Sequence, residues 1–440
     1  MAKLNILYRK VSELRPRETN PRTHSKKQIK QIAASIEHFG FTNPVLVDED
    51  DLIVAGHGRL AAAKLLSMDE VPTVCLRDMS EADIRAYVIA DNRLAENADW
   101  DADLLASEFA YLDHLDIDLT MTGYELPEID FLMNAASSVA PEDDPADRTP
   151  ELSNEPPVTQ LGDIWQIGRH RLICGDATKT ETYLALLGEE RAQMVFCDPP
   201  YNVPIGGHVS GLGKIKHREF VMASGEMSGE EFTGFLARTF CLLARFSIAG
   251  SIHFHCMDWR HLAEVHAAGD MAYDGLKNLC IWAKSNGGMG SLYRSAHELI
   301  FVFKSGDAPH INNVELGKHG RYRTNVWSYP GANSFGKGRD DDLSMHPTVK
   351  PVEMIKDAIL DCSKRKGIVL DAFAGSGSTL VAAEKSGRRG FGIEIDPAYC
   401  DVIVRRMLDQ FGLEAKLIGS GSTFRETALQ RTSECLEGVQ

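Results

Sequence analysis

The chain has 440 residues, too many for one ordinary domain, so two or three domains are expected. Hydrophobic residues make up 43% of the sequence and charged residues 25%, which is typical of a soluble globular protein. No apolar run reaches the roughly 18 residues that a membrane helix needs. The net charge of −16 argues mildly against a nucleic-acid partner, because such a protein must neutralise phosphates, although a local basic patch can still do so.

The cysteine pattern and the first residues indicate the compartment. The nine cysteines are scattered and include no CxxC pair, which favours reduced thiols over disulfides or a zinc site. The opening stretch, MAKLNILYRK, lacks the apolar core and cleavage site of a signal peptide. We therefore expect a cytoplasmic protein with no metal centre and no membrane partner.

Residues 1–133 predict a small α+β domain with a helical extension. Apolar residues at helical spacing predict a helix that ends at Gly40. A hairpin of 44–47 and 52–55 follows, turned by acidic residues, and then a helix from about Arg59. A short strand and further helix complete the domain.

Periodicity fails over residues 134–160, which are rich in Pro, Ser, Asp and Glu. That composition cannot pack a core and predicts a linker. Beyond it, strands and helices alternate over residues 161–420, which predicts a doubly wound α/β sheet. Residues 421–440 are assigned to a tail.

A strand, a turn of small residues and a second strand indicate a nucleotide-type pocket in the second domain. The first strand ends at Asp371, and the turn behind it holds Gly375 and Gly377, while Glu394 lies on the second strand. In nucleotide folds such glycines permit close backbone approach, and the acid binds ribose hydroxyls. The third glycine of a dinucleotide fingerprint would fall at Leu380, so we expect a ligand without a pyrophosphate.

The stretch VFCDPPYNV runs from an apolar strand straight into an acid, two prolines and a tyrosine. Proline cannot continue a sheet ladder, so this sequence gives up stability to hold a rigid loop at a strand end. The loop of Asp198, Pro199, Pro200 and Tyr201 is therefore a candidate catalytic site.

Four separated motifs, DPPY, DAFAGSGST, GIEID and HPTVKP, together resemble the S-adenosylmethionine-dependent amino-methyltransferases of DNA. DPPY precedes the glycine-rich turn, as in the permuted β group of that family, and GDAT (175–178) and residues 281–304 match the same group. The resemblance covers about residues 161–410. It implies a Rossmann-like methyltransferase sheet, S-adenosylmethionine as cofactor and double-stranded DNA as partner.

The resemblance also implies which residues bind the cofactor and what each one contacts. It places Asp371, Phe373, Gly375 and Gly377 at the methionine end, Glu394 on the ribose hydroxyls and Asp176 on the adenine. The chemistry agrees, since a carboxylate suits the α-ammonium group and an aromatic ring packs against the sulfonium.

The chemistry of an exocyclic amine explains the DPPY loop. The amine of adenine or cytosine is a poor nucleophile, because its lone pair is delocalised into the ring. Asp198 and the Pro199 carbonyl would accept its two N–H groups and aim the lone pair at the methyl group, while Tyr201 stacks on the flipped base. Since Asp is commoner at the first loop position in adenine-specific members of the family and Ser in cytosine-specific ones, N6 of adenine is the expected target.

Three alternatives stay open at this point. The first is methylation of N4 of cytosine, and the second is methylation of RNA or protein. The third is a DNA- or nucleotide-binding adaptor whose methyltransferase half is inactive. No restriction endonuclease motif is evident, although restriction–modification is one setting for such enzymes, and a homodimer is a possible assembly.

Residues 304–345 lie where this family carries target recognition, and they mix basic, aromatic and glycine residues. Arg and Asn can read base edges and Lys can position phosphates, so we expect DNA recognition there, with a plain surface insertion as the alternative. His346 is expected to be structural or cofactor-lining rather than a metal ligand.

The first domain, from NPRTHSKKQ to AAAKLL, resembles the ParB/sulfiredoxin-like family, which is sometimes described as nuclease-like. Gly56, Gly58 and Arg59 stand where that family has its phosphate-binding turn, with His57 in place of an acid. Glycines at a helix start beside an arginine suit phosphate. A nucleotide or the DNA backbone is the expected ligand, and the alternatives are an inert accessory domain and a nuclease.

Overall fold

A computed structural model describes residues 4–135, 145–150, 152–153, 155–202, 225–284, 292–314, 322–330 and 349–437. The chain divides into two compact units, Met1–Ser138 and Val139–Gln440. Each unit has its own sheet and its own hydrophobic core. Within the described ranges, none of the helices has the length and apolarity of a membrane span.

The N-terminal unit is an α+β fold whose four described strands run in the order β1–β4–β2–β3. Its core holds apolar side chains of the central strands and of α2. The strands and helices are β1 Ile6–Lys10, α1 Lys26–Phe39, β2 Val45–Val47, β3 Ile53–Ala55, α2 His57–Leu65, β4 Glu70–Cys75, α3 Glu81–Glu96, α4 Ala102–His114 and α5 Leu126–Ala135.

Local signals set the helix ends of this unit. The Ser25 hydroxyl caps α1, and Gly40 ends it with a φ of 81°, which confirms the predicted helix and its glycine end. β2 and β3 pair antiparallel, as the hairpin prediction requires. Helix α2 begins at His57, two residues before the predicted start at about Arg59.

The C-terminal unit is built on one large mixed sheet. Its described strands run in the order β11–β9–β10–β8–β7–β12–β13–β6–β5–β14. The strands are β5 Ile164–Ile167, β6 His170–Cys174, β7 Ala192–Cys197, β8 Ser247–Met257, β9 Gly275–Lys284, β10 His297–Ser305, β11 Val326–Tyr329, β12 Ile368–Asp371, β13 Arg389–Glu394 and β14 Ala415–Leu417. The helices are α6 Thr180–Leu187, α7 Gly229–Arg245, α8 Leu262–Ala272, α9 Val352–Cys362, α10 Ser378–Lys385, α11 Pro397–Phe411 and α12 Phe424–Glu437.

Strand β7 shows why helices cover both faces of this sheet. Met194 and Phe196 belong to one hydrophobic cluster, and Val195 and Cys197 belong to the other, as the two-residue period of a strand requires. Helices α9, α10 and α11 pack on the first face, and α6, α7 and α8 pack on the second. A sheet buried on both faces is the predicted doubly wound α/β architecture, which the structure confirms.

Two segments outside the predicted methyltransferase domain are folded onto this unit. The region assigned to a tail contains α12, and Arg431 of that helix donates to Asp163 at 3.0 Å. At the end of the predicted linker, the buried Asp401 carboxylate accepts the backbone N–H groups of Val158 (2.7 Å) and Thr159 (3.0 Å). Side-chain partners of this kind satisfy irregular backbone without a periodic pattern, so composition could not reveal them.

Candidate active site

The carboxyl ends of four parallel strands meet at one edge of the large sheet. Strands β6, β13, β12 and β7 are neighbours in that order. Four predicted site residues end or follow them: Asp176, Glu394, Asp371 and Asp198. The winding of the chain reverses between β7 and β12, and in open α/β sheets ligands bind at such a switch point.

Asp371 ends β12 and is buried. Its Oδ1 accepts the backbone N–H of Phe373 (3.0 Å), and its Oδ2 accepts the hydroxyl of Thr379 (2.6 Å). Burial outweighs these hydrogen bonds and raises the pKa of Asp371 to about 6. A buried carboxylate with a raised pKa is stabilised when a cation is brought beside it.

Gly375 and Gly377 shape the turn between β12 and α10. Their φ values are 52° and 84°, in the left-handed region that glycine adopts at little cost. The N–H of Gly375 donates to Glu394 at 2.8 Å. A Cβ atom on Gly377 would lie 3.0 Å from the side chain of Ile403. The turn therefore needs glycine at Gly377 both for its conformation and for space.

Glu394 ends β13 and joins the glycine turn to the loop after β6. Besides Gly375, the N–H of Asp396 donates to its carboxylate at 2.9 Å, yet burial raises the pKa of Glu394 to about 7. Its backbone carbonyl accepts the N–H of Gly175 at 2.8 Å, which sets the neighbouring Asp176 beside it. The structure thus brings Asp371, Gly375 and Glu394 together directly and Asp176 through its neighbour.

Two predicted residues have their contacts at the edges of this cluster. The half-buried ring of Phe373 lies 5.9 Å from that of Phe235, on the face covered by α7. One carboxylate oxygen of Asp176 accepts the N–H (2.8 Å) and the hydroxyl (2.7 Å) of Thr178, so its loop is held by its own side chain.

Two prolines and one hydrogen bond shape the loop after β7. The hydroxyl of Tyr201 donates to Asp198 at 2.7 Å, which closes the loop on itself. Pro199 is buried and Pro200 is half-buried. All four residues of DPPY therefore belong to one ordered strand end, directly beside Asp371 in the sheet.

Asn202 fixes the end of this loop. It has a φ of 52°, which an L-residue with a short amide side chain tolerates better than most. Its side-chain oxygen accepts the N–H of Gly225 at 3.1 Å, and its amide donates to the carbonyl of Met227 at 2.7 Å. One side chain thus ties residue 202 to the start of the next described segment.

Asp198 belongs to a cluster of four charged groups, and sequence reasoning missed the other three. The ammonium of Lys350 lies 2.6 Å from Asp198 and 3.2 Å from Glu298, and Lys284 forms an ion pair with Glu298 on the other side. Two signals were available, since Lys350 belongs to the HPTVKP motif and Glu298 lies at the start of the apolar strand β10. Neither signal predicts that these side chains contact Asp198, because Lys350 and Asp198 are 152 positions apart in the chain.

Some predicted features lie outside the described residues. They are His346 and just over half of the recognition segment 304–345. Among the residues that the structure does describe, no group of three or more His, Cys, Asp or Glu side chains is arranged to hold a metal ion.

The turn before α2 gathers basic side chains in the N-terminal unit. Gly56 has a φ of 103°, and the guanidinium of Arg59 folds back to 3.1 Å from where its Cβ would be. The ring of His24 packs against Gly58, and Nε2 of His57 accepts the backbone N–H of Arg17 at 3.3 Å. The Nε atom of Arg59 is buried and has no hydrogen-bond partner among the described residues.

Comparison with known proteins places both units. A family model for DNA methylases of the N6/N4 type matches residues 192–405. Models of the ParB N-terminal domain and of the ParB-methyltransferase HTH domain match residues 3–92 and 103–161. The chain belongs to the DNA methylases and carries a ParB N-terminal domain.

Individual relatives agree with this assignment. The ParB-like nuclease domain-containing protein YnaK of Escherichia coli K12 is 51% identical over 79 residues, which are 18% of this chain and 91% of YnaK. The type II methyltransferase M2.LlaDCHI of Lactococcus lactis is 27% identical over 237 residues, covering 50% of this chain and 82% of that protein. The crystal structure of the M1.HpyAVI–SAM complex superposes with a TM-score of 0.38 at 16% identity, covering 54% of this methylase and 98% of that chain. The family models confirm the predicted family, and S-adenosylmethionine is the cofactor on which that family depends.

We predict that Gly377→Ala destabilises the methylase more than Gly412→Ala. Both glycines are left-handed, but a Cβ at Gly412 meets no atom within 4 Å, whereas at Gly377 it meets Ile403. Either substitution should lower the free energy of unfolding by about 1–2 kcal/mol, because alanine is strained in the left-handed conformation. At Gly377 the contact of the new Cβ with Ile403 should lower it by about 1–3 kcal/mol more.

The measurement is chemical unfolding followed by tryptophan fluorescence, because four of the five tryptophans lie in the C-terminal unit. Gly412→Ala is the matched control for left-handed strain. Equal destabilisation by the two changes would show that Ile403 does not restrict the turn.

Proposed function

We propose that this DNA methylase transfers a methyl group from S-adenosylmethionine to N6 of adenine in double-stranded DNA. The observation that carries the proposal is the parallel pairing of β7 with β12, with Val195 opposite Leu370, which sets the DPPY loop beside the predicted cofactor turn. Adenine is favoured because Asp198 stands at the first loop position, where the cytosine-specific members more often have serine. N4 of cytosine is the alternative target.

The residues at the ends of β12 and β13 fit S-adenosylmethionine. Asp371 is a buried carboxylate that suits an α-ammonium group, and Phe373 offers an aromatic face to a sulfonium. Each oxygen of Glu394 already accepts one backbone N–H and keeps lone pairs for ribose hydroxyls. Asp176 is assigned to the adenine end. When bound, the cofactor supplies an electrophilic methyl group.

The DPPY loop prepares the base. Asp198 accepts one N–H of the exocyclic amine and the carbonyl of Pro199 accepts the other, which favours a pyramidal nitrogen whose lone pair points at the methyl group. Because Pro199 and Pro200 hold the loop rigid, little ordering entropy is lost when the base enters. Tyr201 stacks on the flipped base and offsets part of its unstacking cost of a few kcal/mol.

Asp198 is also the nearest base for the proton that the amine must lose on methylation. Its burial raises its pKa above the ordinary value, although Lys350 opposes this rise. A carboxylate with a raised pKa accepts a proton more readily than one in water. The same side chain therefore orients the amine before the transfer and takes its proton afterwards.

The helical segment 97–135 is a poor surface for DNA, although the HTH model overlaps it. The segment contains ten acidic residues and no lysine or arginine. The acidic residues are Asp99, Asp101, Asp103, Glu108, Asp113, Asp116, Asp118, Glu125, Glu128 and Asp130. Phosphates are bound by Lys and Arg, so we assign DNA binding to the methylase unit rather than to this segment.

A second function is favoured by the basic turn of the N-terminal unit. We propose that Gly56, Gly58 and Arg59 bind a phosphate, of a nucleotide or of the DNA backbone. The first N–H groups of α2 point to an anion, and so does the buried Arg59 Nε, which has no hydrogen-bond partner in the described part of the chain. Burial, together with His24 and Arg17, lowers the pKa of His57, which shows that further positive charge is unfavourable at this turn. A bound anion would offset that repulsion.

The first prediction concerns the base and the catalytic loop. Wild-type protein incubated with isotope-labelled S-adenosylmethionine and unmethylated duplex DNA should give labelled N6-methyladenine after digestion and mass analysis. Asp198→Asn should lower kcat by at least about 1,000-fold, because the neutral amide cannot replace the preorganised carboxylate, and leave cofactor affinity within about threefold. Cofactor binding, measured by calorimetry, is the control.

Labelled N4-methylcytosine would keep the mechanism and correct the base. An unlabelled DNA pool, with cofactor bound, would favour an RNA or protein acceptor or the inactive adaptor.

The second prediction concerns pH and cofactor affinity. Ribose hydroxyls and the cationic cofactor favour ionised Glu394 and Asp371, whose pKa values in the free protein are about 7 and about 6. Binding therefore lowers both pKa values, releases protons, and becomes tighter as pH rises. We expect Kd to fall by roughly 5–10-fold between about pH 6 and pH 7, a range in which the cofactor's own α-amino group stays mostly protonated.

Glu394→Gln is the control, since it removes the group with the higher pKa. It should weaken binding and leave only a change of roughly twofold over the same range. A wild-type Kd that is constant with pH would contradict the assignment of Glu394 to the ribose.

The third prediction concerns the N-terminal unit. Arg59→Ala in the full chain should lower the affinity for radiolabelled nucleoside triphosphates or for short duplex DNA by about tenfold or more, since a charged hydrogen bond is worth about 1.5–3 kcal/mol. Arg85→Ala is a matched control, because Arg85 is an exposed arginine of the same unit paired with Glu81. Binding that is unaffected by Arg59→Ala would leave the inert accessory domain as the correct interpretation.

A further inference from the structure

We propose that Lys350 is a positioning residue for methyl transfer: held by Glu298, its ammonium group fixes the orientation and the negative charge of Asp198 and orients the Tyr201 hydroxyl. This inference rests on the proposed function, because it assigns a role within the same site. It names residues that belong to neither the DPPY loop nor the cofactor turn.

The geometry accounts for all three protons of the ammonium group. Lys350 Nζ lies 2.6 Å from Oδ2 of Asp198, 3.2 Å from Oε2 of Glu298 and 3.1 Å from the hydroxyl of Tyr201. The Tyr201 hydroxyl donates in turn to Oδ1 of Asp198 at 2.7 Å. Each oxygen of Asp198 therefore has one fixed donor, and the plane of the carboxylate is set from two sides.

The cluster is too buried to be a surface ion pair. The side chain of Lys350 is 4% exposed and that of Glu298 is 12% exposed, whereas Asp198, which must meet the base, is 20% exposed. The Lys350 ammonium also lies 5.4 Å from the ring centre of Tyr201 and 5.9 Å from that of Trp282. Exposure thus increases from the positioning groups toward the group that acts on the substrate.

Stability alone does not explain four charges at this place. Lys350, Lys284, Asp198 and Glu298 balance to zero, but removing such groups from water costs several kcal/mol each, and well-packed apolar residues are often as stable. This desolvation cost is explained if the charged groups position the DPPY loop. Lys284 and Glu298 lie on neighbouring strands β9 and β10, so the sheet itself holds Lys350 in place.

The pKa values of Glu298 and Asp198 are shifted in opposite directions within this cluster. Burial would raise the pKa of Glu298, but Lys350 and Lys284 lower it to about 2, so Glu298 stays ionised. Burial and the repulsion of Glu298 raise the pKa of Asp198, and Lys350 opposes them. The other ionisable groups near Asp198 are Tyr201, Asp371 and the thiol of Cys256.

The test uses the sign of a pH shift. The rate of methyl transfer at saturating cofactor and DNA should rise with pH as Asp198 ionises. Lys350→Met removes the cation, so the acid limb of the kcat–pH profile should move up by at least about one unit, with kcat at pH 7 at least about 100-fold lower. Glu298→Gln removes the repulsion, so its acid limb should move down.

Three further measurements make the test specific. Lys350→Arg should restore part of kcat, since it keeps the charge at the same side of Asp198. Lys356→Met is the matched control, because Lys356 is a buried lysine paired with Glu353 away from the loop, and it should leave the profile unchanged. The KM for DNA and the Kd for cofactor should change less than about threefold in the Lys350 and Glu298 variants.

The outcomes separate this inference from the proposed function. A wild-type protein that methylates no DNA rejects the function, whatever the variants do. An active wild type whose Lys350→Met and Glu298→Gln limbs move in the same direction, or stay where they are, rejects the positioning role. If Lys350→Met does not fold, as judged by its unfolding midpoint, Lys350→Arg and Glu298→Gln decide the question by the same shift.

Discussion

The site depends on the parallel pairing of β7 with β12 in the middle of the large sheet. That pairing is short, with Met194 opposite Val369 and Val195 opposite Leu370. It aligns the carboxyl ends of the two strands, so Asp198 and Asp371 emerge side by side although they are far apart in the chain. Parallel strands need long crossovers, and here the crossovers are the helical layers that bury both faces of the sheet.

The same pairing determines the electrostatic character of the site. Burial raises the pKa of three carboxylates at this edge of the sheet, those of Asp198, Asp371 and Glu394. Among the residues that the structure describes, an ammonium group lies beside Asp198 alone of these three, that of Lys350. The other two are compensated by backbone N–H groups and hydroxyls, which leaves room for a cationic ligand. At this edge Asp198 therefore has its own counterion, whereas Asp371 and Glu394 would be stabilised by a cationic ligand.

Much of this arrangement is present in local sequence patterns. Most of the predicted site residues occur at strand ends and turns, where the composition of about ten neighbouring residues is informative. The fold places them at one edge of the sheet: the residues of DPPY, Asp371, Gly375, Gly377 and Glu394. The bounds of α1, with its glycine end, followed from periodicity in the same way. Roles in binding or catalysis stay predictions, since the structure fixes positions and not activity.

What the sequence did not reveal depends on distant partners. Lys350 is one lysine among many until the fold brings it to Asp198 and Glu298. Helix α12 was missed because Arg431 gains its partners only from Asp163 and Val158, far away in the chain. Strand β1 was missed because most of its residues are exposed, so it has no alternating apolar pattern to find. In each case the determining contact is tertiary.

Asn202 joins two described segments through its side chain. Its amide oxygen accepts the N–H of Gly225, and its amide nitrogen donates to the carbonyl of Met227. A residue without this amide would lose both contacts at once, and it would also tolerate a φ of 52° less well. Asn202 therefore couples the position of residues 225–227 to that of the DPPY loop.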